Sequence, residues 1–458
     1  MTAEIIVIGG GLAGCEAAWQ AAELGIQVKL FEMRPEKTTP AHVSEDLAEL
    51  VCSNSLGSVM PYKAPGLLKA ELKGLGSLIL SCAEATAVPA GSSLAVDRQL
   101  FAEMVTEKLS NHDNVEIIRQ EVTELPDTPC IVASGPLTSS PLAQAIDQLS
   151  GQGYLYFYDA LSPIVSYESI DMDIAFRASR YEEGSQVDGD YINCPMTKAE
   201  YEAFYDALVS AEQITLRDFE RENANFFEGC LPIEVMAKRS KDSIRFGPMR
   251  PVGLLDPRTG KKPYAVVQLR QDNLAGTLYN VVGFQTNLRW GAQRQVLQLI
   301  PGLERAEFMR FGMMHRNTYI NSPELLQPTM QYRGRANLFF AGQIVGVEGY
   351  MGNAASGLVA GINAARLLLG DHPLIYPTRT MLGGLCHYVT HAEAKSFQPM
   401  KANFGLLPPA EHRLSKEERY RYYHDRALTS MRRFARERRL KYDLVAAEAG
   451  IQLPFSGS

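Results

Sequence analysis

Seven cysteines punctuate the chain, at Cys15, Cys52, Cys82, Cys130, Cys194, Cys230 and Cys386. No two have the C-x-x-C spacing that zinc or an iron–sulfur cluster needs, so no metal site is expected. Two have neighbours compatible with thiol chemistry. Cys230 lies in Phe226-Phe227-Glu228-Gly229-Cys230-Leu231-Pro232, a turn between Gly and Pro that can present its sulfur to a substrate. Glu228 and Glu234 would raise its pKa if they point inward. Cys52 follows a stretch, 44–51, whose Ser44 cap and Glu45 and Asp46 predict a short helix. The C-terminal end of that helix would oppose a thiolate, whereas Ser53-Asn54-Ser55 could open a new N-terminus beside it. By these neighbours alone, each cysteine reads first as a small buried hydrophobe and second as a nucleophile.

A second group of residues binds rather than reacts. Gly9-Gly10-Gly11-Leu12-Ala13-Gly14 fits G-x-G-x-x-G; a β-branched run, Ile5 to Ile8, precedes it and an Ala-rich helical stretch follows. Gly9 allows the tight turn, Gly11 lets a pyrophosphate approach the backbone, and Gly14 lets helix and strand pack closely. Glu32 ends the next predicted strand, where a carboxylate can accept ribose hydroxyls. Far along the chain Gly342-Gln343 starts a second glycine turn, which runs through Gly349 and opens another small-residue helix near Ala354. Two such turns suit FAD, whose domain is built in two parts, and a simple NAD domain has no use for the second. Small residues at that spacing also serve close helix packing. Any NADH or NADPH would dock beside the flavin, because no third glycine fingerprint is present.

The elements that must position these residues follow from composition and pattern. The chain has 458 residues, 46% hydrophobic and 21% charged, enough for two or three domains and unlike a disordered or fibrous chain. No apolar run reaches the roughly 18 residues of a membrane span, and the odd cysteine count reads as free thiols in a reducing cytoplasm. Between the glycine turns, residues 154–330 are rich in Tyr, Phe and Arg, which predicts an inserted α+β domain. The fold expected is therefore α/β: a two-part, glutathione-reductase-type Rossmann-like FAD domain from 1–153 and 331–410, with the insert between and a basic helical tail over 411–458. The net charge of −7 argues against nucleic-acid binding, but the tail carries 11 Lys/Arg against 7 Asp/Glu. At helical spacing Arg432, Arg436 and Arg439 share a face suited to phosphates, or to plain solvation.

With these residues collected, the chain resembles the bacterial folate- and FAD-dependent tRNA (uracil-5-)-methyltransferases, the TrmFO family. The resemblance rests on GGGLAGCEAAW, LFEMRP, LVCSNS, FFEGCLPIEVMA, GFQTNLRWGAQ, GMMHRNTYI and FAGQIVGVEGY. It implies methylation of C5 of the T-loop uridine, position 54, in tRNA. FAD carries the carbon, 5,10-methylenetetrahydrofolate donates it, and NADH or NADPH supplies reducing equivalents. It further implies Cys230 as the nucleophile at uracil C6 and Cys52 as general base or auxiliary thiol, with His315, and more weakly Arg289 and Trp290, on the folate side. The family's more usual acidic residue after Gly-Tyr is Gly352-Asn353 here. A small-molecule flavin oxidoreductase and a flavin-dependent wobble-uridine modifier are the alternatives.

Overall fold

Five parallel strands in the order 338–340, 130–132, 4–8, 27–32 and 115–119 form the sheet that carries the first glycine turn. The computed structural model describes residues 3–39, 41–151, 155–180, 189–214, 231–312, 314–451 and 453. The strand Gln27–Glu32 alternates half-buried and buried positions, placing Val28, Leu30 and Glu32 on one face. Its neighbour Glu4–Ile8 runs directly into the turn and then into the helix Leu12–Glu23. Gly9 has φ +106°, and a Cβ on Gly14 would collide with the Gly9 carbonyl oxygen. These two positions therefore admit no side chain without distortion.

The late strand Leu338–Phe340 joins this same sheet beside Cys130–Val132 and leads to the helix Tyr350–Leu368. That helix crosses Leu12–Glu23 backbone to backbone. A Cβ on Gly357 would meet the carbonyl of Ala13, and one on Gly361 the carbonyl of Ala17. The small residues thus serve close packing, and the same packing holds the start of the helix against the first turn.

The segment between them builds a separate antiparallel sheet. Its six strands run in the order 176–177, 191–196, 265–271, 278–281, 164–166 and 308–310. One face of its central strand, Ala265–Gln271, buries Ala265, Val267 and Leu269 in the insert's own core with Phe204 and Phe284. The other face turns Gln268 and Arg270 away from that core, and Arg270 reaches Asn54 of the parallel-sheet half at 2.9 Å. Asn54, fully buried, also donates to the carbonyls of Val96 and Gln271, both at 2.9 Å. One side chain thereby stitches the two halves together.

Two expectations for local structure change. Residues 44–51 form turns rather than a helix. The N–H groups of Val43 and Ser44 go to the Glu49 carboxylate, which Arg34 holds at 3.0 Å, and Ala48 adopts φ +53°. The C-terminal helix dipole that would have opposed a Cys52 thiolate is absent. In the basic tail the expected helix forms as Lys416–Arg438, burying Tyr423, Ala427, Leu428, Met431 and Phe434, but it ends before Arg439, whose φ of +55° takes that residue off the face expected to join Arg432 and Arg436. Arg432, Arg436 and Arg439 stay exposed. Among the described residues no helix is long and apolar enough to cross a membrane.

Replacing Gly361 by Val should destabilise the chain by about 1–3 kcal/mol, because the crossing helices must separate. Urea unfolding would show a lower midpoint, together with weaker retention of any nucleotide between the two helix starts.

Candidate active site

Both helices begin without a side-chain cap. Gly11 precedes Leu12–Glu23, Gly349 with φ +88° precedes Tyr350–Leu368, and neither N-terminus receives a side-chain hydrogen bond. Their free N–H groups and dipole ends suit an anion. They face one cleft, to which strand 27–32 adds Glu32 and the turn after strand 130–132 adds Ser134.

Of the sequence-derived nucleotide residues, Gly9, Gly10, Gly11, Leu12, Ala13, Glu32, Gly342 and Gln343 line the cleft. Gly14 lies behind it, packed on Gly9, and Gly349 and Ala354 are not among its lining residues. Tyr350 and Asn353 take those places at the start of the second helix. The Asn353 side-chain oxygen is buried with no partner, the kind of orphan that a bound polar group satisfies.

Glu32 anchors the cleft wall. Its carboxylate accepts from the N–H of Gly10 at 2.9 Å, the N–H of Arg34 at 3.0 Å and Arg34 Nε at 2.9 Å. Burial alone would raise this carboxyl, but the Arg34 hydrogen bond and charge, helped by the two N–H groups, hold it below the usual range. Arg34 is 2% exposed and ties Glu32 to Glu49. His42 also lines the cleft, and burial, aided by Arg34, pushes it down to about 4, so it is neutral at pH 7.

Cys52 sits at the edge of this cleft. Its N–H donates to the Tyr350 hydroxyl at 2.7 Å, and the preceding Val51 lines the cleft. Cys15, Cys82, Cys130, Cys194 and Cys386 are buried, and burial pushes each thiol up. Among the described cysteines Cys52 alone is partly exposed. Cys230 lies outside the described residues. His315 is on the strand Met314–Tyr319, opposite Asp159. Arg289 pairs with Glu212 at 3.0 Å, and Trp290 is 56% exposed and stacked on Phe311; neither lines the cleft.

Arg34, Tyr350 and the arginines around Cys52 were not singled out from sequence, and Asn353 was named only as a departure from the family's usual acidic residue. Arg34 had a signal, since it follows the ribose-type acid by two positions, but its partner Glu49 is placed only by the turns of 41–50.

Fold and cleft together define a two-part dinucleotide-binding protein of the flavoprotein type. A family model described as GIDA, Glucose inhibited division protein A, matches residues 4–372. The chain superposes on the GidA structure from Aquifex aeolicus with a TM-score of 0.69 at 18% identity, covering 95% of this chain and 73% of that one. A relative from Anoxybacillus flavithermus, "Methylenetetrahydrofolate--tRNA-(uracil-5-)-methyltransferase TrmFO", is 57% identical over 435 residues, 95% of this chain and all of the relative. The Bacillus subtilis protein of the same name is 57% identical over 426 residues, 93% of this chain and 97% of its own. The chain belongs to the TrmFO family.

FAD fits the cleft: the uncapped start of Leu12–Glu23 would take its phosphates and Glu32 its ribose, while the uncapped start of Tyr350–Leu368, with the orphaned Asn353 oxygen, would lie at its flavin end. Glu32→Gln should weaken FAD binding by about 1–3 kcal/mol, read by fluorescence titration of the flavin. The folded Glu32 carboxyl titrates below the unfolded value of roughly 4.3, so its stabilisation is full above that pH and is lost as pH falls through the folded value. The variant should therefore show a flatter acid limb in thermal unfolding.

Proposed function

We propose that the chain methylates C5 of the T-loop uridine of tRNA, with FAD as resident cofactor, 5,10-methylenetetrahydrofolate as carbon donor and NADH or NADPH as reductant. The observation that carries this reading is the 2.7 Å hydrogen bond from Cys52 N–H to the Tyr350 hydroxyl. It joins the one partly exposed described thiol to the first residue of the helix that faces the flavin site. The relatives' shared name supports the same reaction.

Uracil C5 becomes nucleophilic only after a thiolate adds to C6, and Cys230 takes that role. Once C5 has bonded to the one-carbon unit, Cys52 accepts the C5 proton, and departure of the Cys230 sulfur from C6 restores the double bond as that unit is reduced to methyl. FAD, when bound, supplies the carrier of the one-carbon unit and a route for the two electrons that turn a methylene into a methyl. Gly9 to Ala13, Glu32, Gly342, Gln343 and Asn353 hold it. Arg98 fixes the Cys52 segment through the carbonyls of Leu50 and Cys52, at 2.7 and 3.3 Å. The exposed Arg432, Arg436 and Arg439 contribute attraction for the RNA backbone. The uridine reaches the thiols only once it is out of its stack.

Incubation with tRNA and methylene-deuterated folate should produce ribothymidine heavier by the label. Cys230→Ala should abolish the product while flavin absorbance persists, and Cys52→Ala should lower turnover by roughly 10²–10⁴-fold. Undiminished methylation by Cys230→Ala would overturn the nucleophile assignment.

A further inference from the structure

Three guanidinium groups close on the Cys52 segment from both halves of the molecule. Arg98, opening the helix Arg98–Ser110, donates to the carbonyls of Leu50 and Cys52. Arg310, at the end of the strand Phe308–Arg310, donates to the carbonyls of Ala41 at 3.1 Å and Val51 at 3.2 Å. Arg270 gives its Nε to Asn54 at 2.9 Å. Every residue from 50 to 54 except Ser53 is thus held by one of them.

Their charges are not balanced. Asp272 pairs with Arg98 at 2.9 Å, and Glu49 is taken by Arg34. Among the described residues no carboxylate lies within ion-pair distance of Arg270 or Arg310. Arg270 is only 7% exposed, and its two terminal amino groups have no hydrogen-bond acceptor among the described residues. A guanidinium largely removed from water, whose attracting carboxylate Asp272 is already paired with Arg98, recovers only part of what it gave up with its hydration. Burial weakens the basicity of both arginines, and the nearby Arg98 adds to that, against Asp272, Glu49, Tyr191, Tyr350 and Cys52 on the facing elements. Among the described residues Arg270 and Arg310 are thus two cations without an ion-pair partner, at the place where Cys52 meets the rim of the cleft.

We propose that Arg270 and Arg310 form an oxyanion subsite beside Cys52 that holds a phosphate or carboxylate group of a substrate during turnover. The planar fork of a guanidinium matches either anion through paired hydrogen bonds. The inference rests on the reading that Cys52 belongs to the reaction centre. Within that reading, three co-reactants carry such a group: the RNA through its phosphodiesters, the folate through its glutamyl carboxylate and NADH or NADPH through its pyrophosphate.

The test uses the FAD-loaded protein and inorganic phosphate as probe, and follows alkylation of Cys52 by iodoacetamide through peptide mass. Phosphate should slow Cys52 labelling about tenfold in the unaltered chain. It should give no protection in Arg270→Gln or Arg310→Gln and partial protection in Arg270→Lys. Flavin absorbance reports that each variant is folded, and the second variant stands in if the first is not. Absence of protection in the unaltered chain, or equal protection in the variants, overturns the proposal. The source of the anion is read from binding to Arg310→Gln. Tenfold weaker pteroylglutamate with unchanged pteroate assigns the carboxylate, tenfold weaker hairpin RNA assigns the RNA phosphate, and tenfold weaker NADPH assigns the nicotinamide's phosphates. Loss of none of the three overturns the subsite. No step requires turnover, so its failure is separable from failure of the methylation assay.

Discussion

The contact on which the rest of the structure depends is the crossing of two helices separated by more than three hundred residues of chain. Ala13 and Ala17 of one lie against Gly357 and Gly361 of the other, so close that a single added carbon at either glycine would strike a carbonyl. That approach sets two uncapped helix starts at one cleft and docks strand 338–340 into the sheet begun by strand 4–8. The chain between strands 130–132 and 338–340 can then make an excursion, and the six-stranded antiparallel sheet is built there.

Charge is handled differently in the two regions that meet at this cleft. Under the nucleotide turn, Glu32, Arg34 and Glu49 form a closed buried network in which each charge has a partner and backbone N–H groups complete the carboxylates. Such a network fixes geometry, because removing any member strands the others. Around Cys52 the arginines outnumber the acids, and two of them spend their hydrogen bonds on carbonyls and an amide. The first arrangement is complete in the protein alone. The second is completed by what binds.

The parts of the fold that could be read from the sequence were those fixed by local rules. Gly9 and Gly14 are dictated by the turn and the packing behind it, and Glu32 by its strand end, so pattern and structure agree there. The second glycine turn was open to two readings, helix packing or cofactor binding: Gly357 and Gly361 pack, and Gly342, Gln343 and Asn353 line the cleft. The helix over 44–51 misled because its capping residues are engaged elsewhere. Glu49 accepts from Val43 and Ser44, and the reason is Arg34, which local propensity does not see. Arg98, Arg270 and Arg310 were invisible for a related cause. They lie on three separate elements and acquire meaning only when the insert docks through Asn54. Thiol reactivity likewise depends on burial that no spacing reveals, and this separates Cys52 from five buried cysteines.

The central claim is that both ends of the chain enclose one flavin dinucleotide. Titration of flavin-stripped protein with FAD, and in parallel with FMN, tests it most directly. The account predicts saturable binding of one FAD per chain and much weaker FMN, because Glu32 and the first glycine turn engage the adenosine side. Absence of FAD binding, or equal affinity for FMN, would contradict it.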